Sequence, residues 1–377
     1  MLKVCHMTSV HKRYDGRILK KECVSLVNAG YDVTLIVTDN KEDEIYRGVK
    51  ITSIDFHPKN RLDRILNSKK RMLKKALNID ADVYHFHDPE LIPVGIILHN
   101  KGKKVIYDSH EDFVQDIKEK VWIPNCIRIV LSFLFKYYEK ISAKNFDMII
   151  TVTPHIVDKF LNYHRNVHMI TNYPVVNFED RKNNKRSDCN QICFTGLISP
   201  LWEHENIIKA LNIMKKDDIS YTLAGPSDED YIKKLKDLDV NKRIKYMGVV
   251  DAIGVDIIQT HSVAGMAILK YSQTVGGKIG TLGNTKIFEY MYSQIPVICS
   301  DFVLWKEIID KWKCGICVNP NDIDSISKAI TFLKNNKLEA KTMGENGRRA
   351  VIQEYNWETQ EKKLLALYAQ IAGERVL

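Results

Sequence analysis

The chain has 377 residues, of which 45% are apolar and 27% are charged, and these proportions are typical of a globular protein with buried cores. At about 150 residues per domain, the length predicts two domains. The 18 glycines and 10 prolines are too few for a collagen-like or linker-dominated chain. The formal net charge of +9 bears on which partners the protein binds and not on its fold.

Neither a targeting segment nor a membrane span is expected. The chain begins with MLKVCHMTSV, which has neither the apolar core nor the small-residue cleavage site of a signal peptide. The most apolar stretch, residues 121–135, is interrupted by Pro124, Asn125 and Arg128 and is shorter than the ~18 apolar residues that a span requires. Eight cysteines in a chain of this size do not suggest a disulfide scaffold, so we expect a reduced, cytoplasmic protein.

Two pairs of cysteines lie close together in the sequence, Cys189 with Cys193 and Cys314 with Cys317. Four thiolates can bind zinc. However, Cys193, Cys314 and Cys317 lie in apolar, strand-like runs, where cysteine is typically a small buried side chain. We therefore expect no metal or redox chemistry from the cysteines.

Strand-like and helix-like segments alternate along the first half of the chain. The run KVCHMTSV is followed by a loop, by an amphipathic segment that ends at Gly30, and by a second apolar run, YDVTLIVT. The pattern continues with DVYHFHD, KKVIYDSHE and DMIITVTP. Such alternation predicts βαβ units around a parallel sheet. Because ligands bind at the carboxyl ends of parallel strands, the polar residues that end these runs are candidate site residues.

A polar segment divides the chain into two similar parts. Residues 177–190 are rich in charged and amide side chains and predict a linker. The same alternation restarts after it, so residues 1–176 and 191–356 are predicted to form two doubly wound α/β domains. The amphipathic helix 357–377 is predicted to pack back on the first domain. A cleft between two such domains is the natural place for a site.

The segment 276–294, GGKIGTLGNTKIFEYMYSQ, is the most informative for chemistry. A glycine-rich loop leads into a helix predicted to start near Thr285, and the free N–H groups and dipole of a helix start suit a diphosphate. Lys286 adds a cation, and Glu289 can accept hydrogen bonds from sugar hydroxyls. The alternative is a flexible loop and a surface helix with an ordinary Lys/Glu pair. No G-x-G-x-x-G follows the first strand and no G-x-x-x-x-G-K-[ST] occurs, which disfavours dinucleotide oxidoreductases and P-loop NTPases.

GNTKIFEYMYSQIPVICSD resembles the donor-binding segment of family 4 glycosyltransferases, which have the GT-B fold. Other matches occur in the family's order: DGRILKKECVSLVNAGYDV, HFHDPE, YDSHE, FTG and YNWETQEKKLLALY. The resemblance implies two Rossmann-like domains that face a central cleft. It also implies a retaining transferase, of the hexosyltransferase type in class EC 2.4, that uses a UDP- or GDP-linked sugar and usually no metal.

The resemblance assigns roles to individual residues. Glu289 matches the glutamate that holds the nucleotide ribose, and His110 matches the histidine near the transferred sugar; with Lys286 these are the expected catalytic residues. Gly16 matches the glycine that lets the first domain approach the diphosphate. The expected donor-binding residues are Gly16, Gly196, Gly283, Asn284, Thr285 and Ile287. Gly16 could instead be a plain turn glycine, and His110 a histidine that only supports the site.

The sequence departs from the family pattern in two places. Many members have two glutamates eight positions apart, and the earlier position is Thr281 here. Many also place an arginine and a lysine after the FTG-type glycine, whereas this chain has Leu197 and Glu203 in that stretch. We expect the diphosphate charge to be balanced instead by Lys286, by the helix start and by His204.

One strand end carries a His-x-His pair. His85 and His87 alternate with Phe86, so both side chains point to the same side of the strand. Such a pair can bind a metal, but the sequence shows no third ligand in register, and no metal is expected. His87 and Asp88 are expected to lie on the acceptor side of the site.

A basic segment accounts for part of the positive charge. Residues 57–76 hold eight Lys or Arg side chains against one acid, and their apolar residues recur at helical spacing. Such a helix is typical either of a membrane-surface contact, to which the nearby apolar segment 122–138 could add, or of a solvated helix with an ordinary core face. The segment lacks the interleaved aromatic residues of nucleic-acid binding, which we do not expect.

The sequence thus predicts a retaining glycosyltransferase that acts on a glycan or a polyprenyl-diphosphate-linked acceptor in the synthesis of cell-surface polysaccharide or glycoconjugates. It is expected in the cytoplasm, at the inner face of the cell membrane. For retention, the leaving phosphate oxygen can itself take the acceptor proton. Two alternatives are a GT-B-type nucleotide-sugar epimerase and a non-catalytic donor-binding subunit.

Overall fold

The computed structural model describes residues 1–54, 61–120, 122–176, 189–214 and 219–373, and side chains within helix Arg61–Ile79 from residue 67 onward. The chain divides into two compact units. Unit 1 comprises Met1–Asn172 and Trp357–Leu377, and unit 2 comprises Tyr173–Asn356.

Unit 1 contains an eight-stranded sheet in the order β3-β4-β2-β1-β5-β6-β7-β8. The strands are β1 Lys3–Met7, β2 Asp32–Val37, β3 Glu44–Tyr46, β4 Val49–Ser53, β5 Val83–Phe86, β6 Lys104–Ser109, β7 Met148–Thr151 and β8 Val167–Met169. The short edge strand β3 pairs antiparallel with β4, and the other neighbouring strands run parallel.

Helices cover both faces of this sheet, as expected for parallel strands with apolar side chains on both sides. The helices are π-helical Ile18–Cys23, which continues into α1 Val24–Asn28, then α2 Arg61–Ile79, α3 Ile92–Asn100, α4 Phe113–Glu119, α5 Asn125–Ala143, α6 Pro154–Leu161 and the C-terminal helix Trp357–Ala372. One core joins the sheet to α2, α3, α5 and α6, and a second joins it to the Ile18–Asn28 segment and the C-terminal helix.

The C-terminal helix belongs to unit 1. Leu364, Leu367 and Tyr368 are buried in its core, and the indole N–H of Trp357 donates to the hydroxyl of Ser25 at 3.0 Å. This is the position that the amphipathic pattern of residues 357–377 predicts.

Unit 2 contains a six-stranded, fully parallel sheet in the order β11-β10-β9-β12-β13-β14. The strands are β9 Gln191–Thr195, β10 Ser220–Ala224, β11 Ile244–Tyr246, β12 Ala264–Ala267, β13 Val297–Ser300 and β14 Gly315–Val318. The helices are α7 His204–Ile213, α8 Glu229–Leu238, α9 Ala252–Thr260, α10 Lys286–Tyr292, α11 Val303–Trp312, α12 Ile323–Asn335 and α13 Lys337–Gln353. Two doubly wound α/β domains are therefore present, as the sequence predicts.

The boundary between the units differs from the expected one. Residues 173–176 were assigned to the first domain, but Tyr173 packs its ring against Phe288 and Tyr355 in the core of unit 2, with centroid distances of 4.7 and 5.5 Å. Most of the predicted linker, residues 177–188, lies outside the described residues. Among the described helices, none is long and apolar enough to cross a membrane.

Candidate active site

In unit 1, polar side chains collect where three neighbouring strands end. β1, β5 and β6 are adjacent and parallel, so their carboxyl ends lie side by side. His6 and His85 are paired in register on β1 and β5, with ring centroids 4.4 Å apart, and His87 follows β5. Asp108 on β6 and His110 just after it complete the group, which lies at the edge where a parallel sheet binds its ligands.

An ion pair between Arg17 and Asp108 lies at the centre of this group. Nη2 of the buried Arg17 donates to Oδ2 of Asp108 at 2.9 Å, and its Nε lies 2.9 Å from Oε1 of Glu22. Burial works against ionisation of Asp108, but Arg17 and then His110 hold the pKa of Asp108 well below its usual range. Burial raises the pKa of Glu22 well above its ordinary value, although Arg17 opposes the shift. The centre of the group therefore holds the guanidinium of Arg17 between two buried carboxyl groups.

A chain of hydrogen bonds links this ion pair to the C-terminal helix. Nδ1 of His85 lies 2.8 Å from the hydroxyl of Tyr368, which lies 3.1 Å from Nε2 of His6. Nδ1 of His6 lies 2.9 Å from Nε2 of His87, whose Nδ1 lies 3.4 Å from Oδ2 of Asp108. Burial is the largest of the causes that lower the pKa values of all three histidines, so they are neutral.

The ionised Asp108 sets the direction of this chain, because a carboxylate can only accept. His87 then donates to Asp108 through Nδ1 and accepts from His6 through Nε2. His6 in turn accepts from Tyr368, whose oxygen accepts from His85. In this arrangement Nε2 of His85 lies 3.7 Å from Oδ2 of Asp108 and has no hydrogen-bond partner among the described residues.

His110 is held by the same carboxylate. Its Nε2 lies 3.1 Å from Oδ2 of Asp108 and 3.3 Å from Nδ1 of His87. Because Asp108 only accepts, Nε2 of His110 carries a proton, and in the neutral ring Nδ1 is an acceptor. The side chain is 17% exposed. A fixed imidazole with an accessible acceptor nitrogen can bind the hydroxyl group of a sugar.

A cavity of about 480 Å³ brings the predicted unit 1 residues together. Its lining includes His110, His87 and Asp88, together with His11 and Glu111. The imidazole of His87 is buried beneath His110 and turned towards Asp108. This position favours a role for His87 in orienting His110 over a direct contact between His87 and an acceptor.

Asp88 holds the loop that follows β1. Its Oδ2 accepts from the hydroxyl of Thr8 at 2.8 Å and from the backbone N–H of Ser9 at 2.6 Å, and its Oδ1 lies 3.5 Å from Nε2 of His11. The pKa of His11 is raised, mainly by its hydrogen bond to Asp15, against an opposing effect of burial. The loop that carries His11 therefore forms one wall of the cavity.

Gly16 lies in an exposed turn before the helical segment that starts at Ile18. Oδ1 of Asp15 caps this segment, because it accepts from the backbone N–H groups of Arg17 and Ile18, both at 2.8 Å. A Cβ atom on Gly16 would meet no atom within 4 Å, and the residue has no positive φ. No described neighbour within the chain therefore requires glycine here, so the role implied by the family resemblance stays a prediction.

In unit 2, the Lys/Glu pair of α10 is preorganised. Nζ of Lys286 donates to Oε2 of Glu289 at 2.7 Å, and the hydroxyl of Thr285 donates to Oε1 at 2.5 Å. The side chains of Lys286 and Glu289 are 17% and 33% exposed. Two donors thus fix the rotamer of Glu289 at the first turn of α10.

Gly196, which follows β9, lies directly against Lys286. A Cβ atom on Gly196 would lie 2.5 Å from Cε and 3.0 Å from Nζ of Lys286, and its φ is 142°. The backbone of Gly225 is also close, since a Cβ atom there would lie 1.9 Å from the carbonyl oxygen of Gly196. The glycine after β9 therefore makes room for the lysine that begins α10, and the two predicted donor-binding elements form one surface.

Two aromatic residues hold the glycine-rich loop in place: Phe302, which precedes α11, and Trp305 within α11. A Cβ atom on Gly280 would lie 2.6 Å from Cβ of Phe302, and the indole N–H of Trp305 donates to the carbonyl of Thr281 at 2.7 Å. The hydroxyl of Thr281 accepts from the N–H of Gly283 at 3.0 Å. Thr281, where many relatives have a glutamate, thus shapes the loop through a hydrogen bond.

The other predicted donor-binding residues differ in exposure. Gly283, Asn284 and Thr285 are partly exposed before α10, whereas the side chain of Ile287 is fully buried in the core of unit 2. Ile287 can therefore reach a ligand only through its backbone N–H, which lies in the first turn of the helix.

The expectation for His204 is wrong. The residue is fully buried, its Nδ1 lies 2.8 Å from the hydroxyl of Tyr221, and burial lowers its pKa to about 3. A neutral, buried imidazole cannot balance the charge of a diphosphate. The structure also exposes a cation that the sequence patterns do not indicate. Lys270 follows β12 and is exposed, and its backbone N–H donates to the carbonyl of Leu201 at 2.8 Å.

The basic amphipathic segment is helix α2 from Arg61 onward, and residues 57–60 lie outside the described residues. Met72 and Ala76 are buried in the core against the sheet. The exposed cations of the described part are Lys70, Arg71 and Lys74. The apolar side of α2 is therefore an ordinary core face in the described residues.

Several site residues could not be assigned from the sequence. Arg17, Glu22, Asp108, His6 and Tyr368 are far apart in the chain, and only the fold brings them together. The local signals are that Arg17 and Glu22 lie inside the motif DGRILKKEC, Asp108 inside YDSHE and Tyr368 inside YNWETQEKKLLALY.

Comparison with known proteins defines the class. The description "Glycosyltransferase Family 4" matches residues 16–173, and "Glycosyl transferases group 1" matches residues 175–350. An uncharacterized glycosyltransferase of Methanocaldococcus jannaschii is 24% identical over 190 residues. That match covers 48% of this chain and 46% of the relative, so the chain spans about half the relative's length.

Two solved structures share the fold over the full length. Sucrose-phosphate synthase from Thermosynechococcus elongatus has a TM-score of 0.77 and 15% identity to this chain. The match covers 99% of this chain and 100% of the synthase chain. Anabaena HepE in complex with UDP and glucose has a TM-score of 0.73 and 12% identity, covering 98% and 100%. At these identities the likeness shows the fold alone.

The two parallel-sheet units and the two consecutive family matches define a glycosyltransferase with the GT-B fold. More narrowly, the chain belongs to the family 4 type of these glycosyltransferases. The family and the fold implied by the resemblance of GNTKIFEYMYSQIPVICSD are confirmed.

Proposed function

We propose that the protein is a retaining hexosyltransferase that uses a nucleotide-diphosphate sugar. Its acceptor is a glycan or a polyprenyl-diphosphate-linked glycan, in the synthesis of cell-surface polysaccharide or glycoconjugates at the cytoplasmic face of the membrane. The observation that carries this proposal is the Lys286–Glu289 pair, fixed by Thr285 and packed against Gly196.

The donor-binding part of the proposal follows from the chemistry of these groups. Lys286 supplies a charge-assisted hydrogen bond to a diphosphate oxygen, and the N–H groups at the start of α10 supply further donors. Glu289 accepts from the ribose hydroxyls. The presence of UDP and glucose in the Anabaena HepE complex supports a nucleotide-sugar donor, with UDP or GDP as the nucleotide.

The geometry of His110 suits a sugar hydroxyl. Its Nε2 is bound to Asp108, so its Nδ1 accepts from the transferred sugar and positions it. For retention, an oxygen of the leaving phosphate takes the proton of the acceptor hydroxyl as the new bond forms on the same face. The protein then supplies positioning and charge stabilisation through Lys286, and no side chain has to act as the base.

We propose no resident metal. The two groups of close metal-ligand atoms in the described residues are His6, Glu22, His85 and His87, and His87, Asp108 and His110. The guanidinium of Arg17 contacts both Glu22 and Asp108, and the hydrogen-bond chain already uses both ring nitrogens of His6 and of His87. A second cation there would be repelled by Arg17.

The variants Lys286→Met and Glu289→Gln test the donor site. Nucleotide release and sugar transfer are measured with UDP-glucose, UDP-N-acetylglucosamine and GDP-mannose. Lys286→Met should lower turnover about 100- to 1,000-fold, the usual effect of removing one group that stabilises developing charge. Glu289→Gln should weaken donor binding about 10- to 100-fold, because a hydrogen bond to a charged group contributes about 1.5–3 kcal/mol. The matched controls are Lys306→Met and Asp310→Asn, which break a similar 2.8 Å ion pair on the exposed surface of unit 2.

Unchanged turnover in both site variants would contradict the assignment. Turnover of a nucleotide-sugar without acceptor and without nucleotide release would instead identify an epimerase. Binding of the donor without any turnover, even with a membrane extract as acceptor source, would identify a donor-binding subunit.

A further inference from the structure

Helix α5 of unit 1 has an inverted distribution of side chains. The fully buried side chains of α5 are small or polar, namely Ser132, Glu139, Ser142 and Ala143. Phe135 alone among the large apolar side chains of the helix is partly buried and packs against the core of unit 1. Glu139 is held there by Lys159, whose Nζ lies 2.6 Å from Oε2, and the hydroxyl of Ser132 donates to the carbonyl of Ile129 at 2.8 Å. The inner face of α5 is thus complete as it stands, although it is the less apolar side of the helix.

The apolar side chains of α5 point away from the unit. The large apolar side chains of this region that are 38–69% exposed are Trp122, Ile127, Ile129, Val130, Leu131, Phe133, Leu134, Tyr137, Tyr138 and Ile141. Ile127, Val130, Leu134, Tyr137 and Ile141 follow helical spacing and form one continuous stripe. From Ile127 to Ile141 this stripe is about 21 Å long. A soluble surface does not leave such a patch exposed unless it binds something.

Cations border the stripe on one edge. Lys136, Lys140 and Lys144 are exposed and four residues apart, so they form a row along α5. Glu139 is the only acidic residue of α5 and is buried, so the outer surface of the helix carries positive charge alone.

We infer that α5 docks unit 1 onto an anionic lipid bilayer, with the apolar stripe inserted at the interface and the lysine row on the headgroups. An apolar stripe beside a row of cations is the pattern of a helix that lies in the plane of a membrane surface. Trp122, Tyr137 and Tyr138 are amphipathic aromatic residues of the kind enriched at that depth. A second copy of this chain fits less well, because its α5 offers the lysine row no exposed carboxylate.

The inference extends the proposed function, and it rests on that function only for why a bilayer would be approached. A glycosyltransferase whose acceptor carries a polyprenyl anchor must reach a sugar held at a membrane. Docking through α5 would keep unit 1 at that surface without a membrane-spanning helix.

Flotation of the full-length protein with vesicles tests the inference. The vesicles contain phosphatidylcholine alone or with about one-third phosphatidylglycerol. The wild-type protein should bind the anionic vesicles about tenfold or more tightly than the neutral ones, and added salt should weaken that preference. Emission from Trp122, measured against a Trp122→Phe variant, should shift to shorter wavelength on binding.

Two double variants separate the two parts of the surface. Val130→Ser with Leu134→Ser should weaken binding to both kinds of vesicle about tenfold or more, because the inserted area is lost. Lys136→Gln with Lys140→Gln should weaken binding to the anionic vesicles alone. The matched control is Ile253→Ser with Leu338→Ser, which removes two apolar side chains of unit 2 that are 70% and 78% exposed, and it should bind as wild type does.

Absence of vesicle binding by the wild-type protein, or equal loss in the unit 2 control, would overturn the inference. So would a concentration-dependent dimer in sedimentation that Val130→Ser with Leu134→Ser abolishes, since α5 would then bind a second copy. Failure here is distinct from failure of the proposed function. The variants Lys286→Met and Glu289→Gln should float as the wild type does, and loss of flotation leaves nucleotide release from the donor unaffected.

Discussion

Replacing Gly196 by alanine tests whether the loop after β9 serves the donor lysine. The new Cβ atom would lie 2.5 Å from Cε of Lys286, whereas carbon atoms pack at about 3.5–4.0 Å, so Cε must move by roughly 1 Å. In the native protein, Nζ of Lys286 donates to Glu289 at 2.7 Å. A shift of about 1 Å takes this contact out of hydrogen-bonding range. The site then loses one fixed charged donor.

The size of the effect follows from two separate costs. The φ of 142° at Gly196 strains any other residue by about 1–3 kcal/mol, which appears as a lower free energy of unfolding. Loss of a charge-assisted hydrogen bond costs about 1.5–3 kcal/mol. In binding, that loss corresponds to an affinity for UDP or GDP that is about 10- to 100-fold weaker.

Isothermal titration of UDP and GDP, with urea unfolding of the same samples, measures both costs. The control is Gly102→Ala in unit 1, which also has a positive φ, of 78°, but whose Cβ atom would meet nothing within 4 Å. It should lose stability and keep nucleotide affinity. An unchanged affinity in Gly196→Ala, or an equal loss in Gly102→Ala, would refute the argument that Gly196 makes room for Lys286.

Three further predictions concern stability and are measured by urea unfolding. Arg17→Met should lower the free energy of unfolding by about 3–5 kcal/mol, because it leaves a buried carboxylate without its cation. A decrease below about 1 kcal/mol would contradict the ion-pair assignment. Gly265→Ala should lower the free energy of unfolding by about 1–3 kcal/mol or more, because its Cβ atom would lie 2.2 Å from the ring of the buried Tyr290. An unchanged free energy of unfolding would count against this packing. His11 has a pKa raised above 6.5 mainly by Asp15, so its contribution is fully present below pH 6.5 and is lost as pH rises through the higher folded value. His11→Gln should therefore destabilise more at about pH 5.5 than at about pH 8.5, and equal losses would show that the charge of His11 is not involved.

The local parts of the donor site can be predicted from the sequence alone. The glycine-rich loop, Lys286 and Glu289 lie within one short segment, and the spacing of a helix places the lysine and the glutamate on one side. The alternation of apolar runs and amphipathic segments likewise predicted two parallel-sheet domains, because burial on both faces makes such strands continuously apolar. The domain boundary was misplaced because the packing of Tyr173 against Phe288 and Tyr355 leaves no mark in local composition.

The surroundings of His110 depend on the fold of unit 1. Arg17, Glu22, Asp108 and Tyr368 meet because β1, β5 and β6 end side by side and the C-terminal helix packs against them. The reason is physical: a buried charge needs a partner, but that partner can come from any part of the chain. His204 shows the reverse case, since its imidazole is a titratable group by sequence and a neutral, buried one by position.

The same division applies to the two amphipathic helices. Sequence alone identified α2 as basic and amphipathic and residues 121–135 as apolar, but periodicity does not say which side of a helix the core will cover. In the described residues, the fold buries the apolar side of α2 and leaves that of α5 exposed. The sequence therefore shows that each helix has an apolar pattern, but the packing of the helix on the sheet determines which side is exposed to solvent.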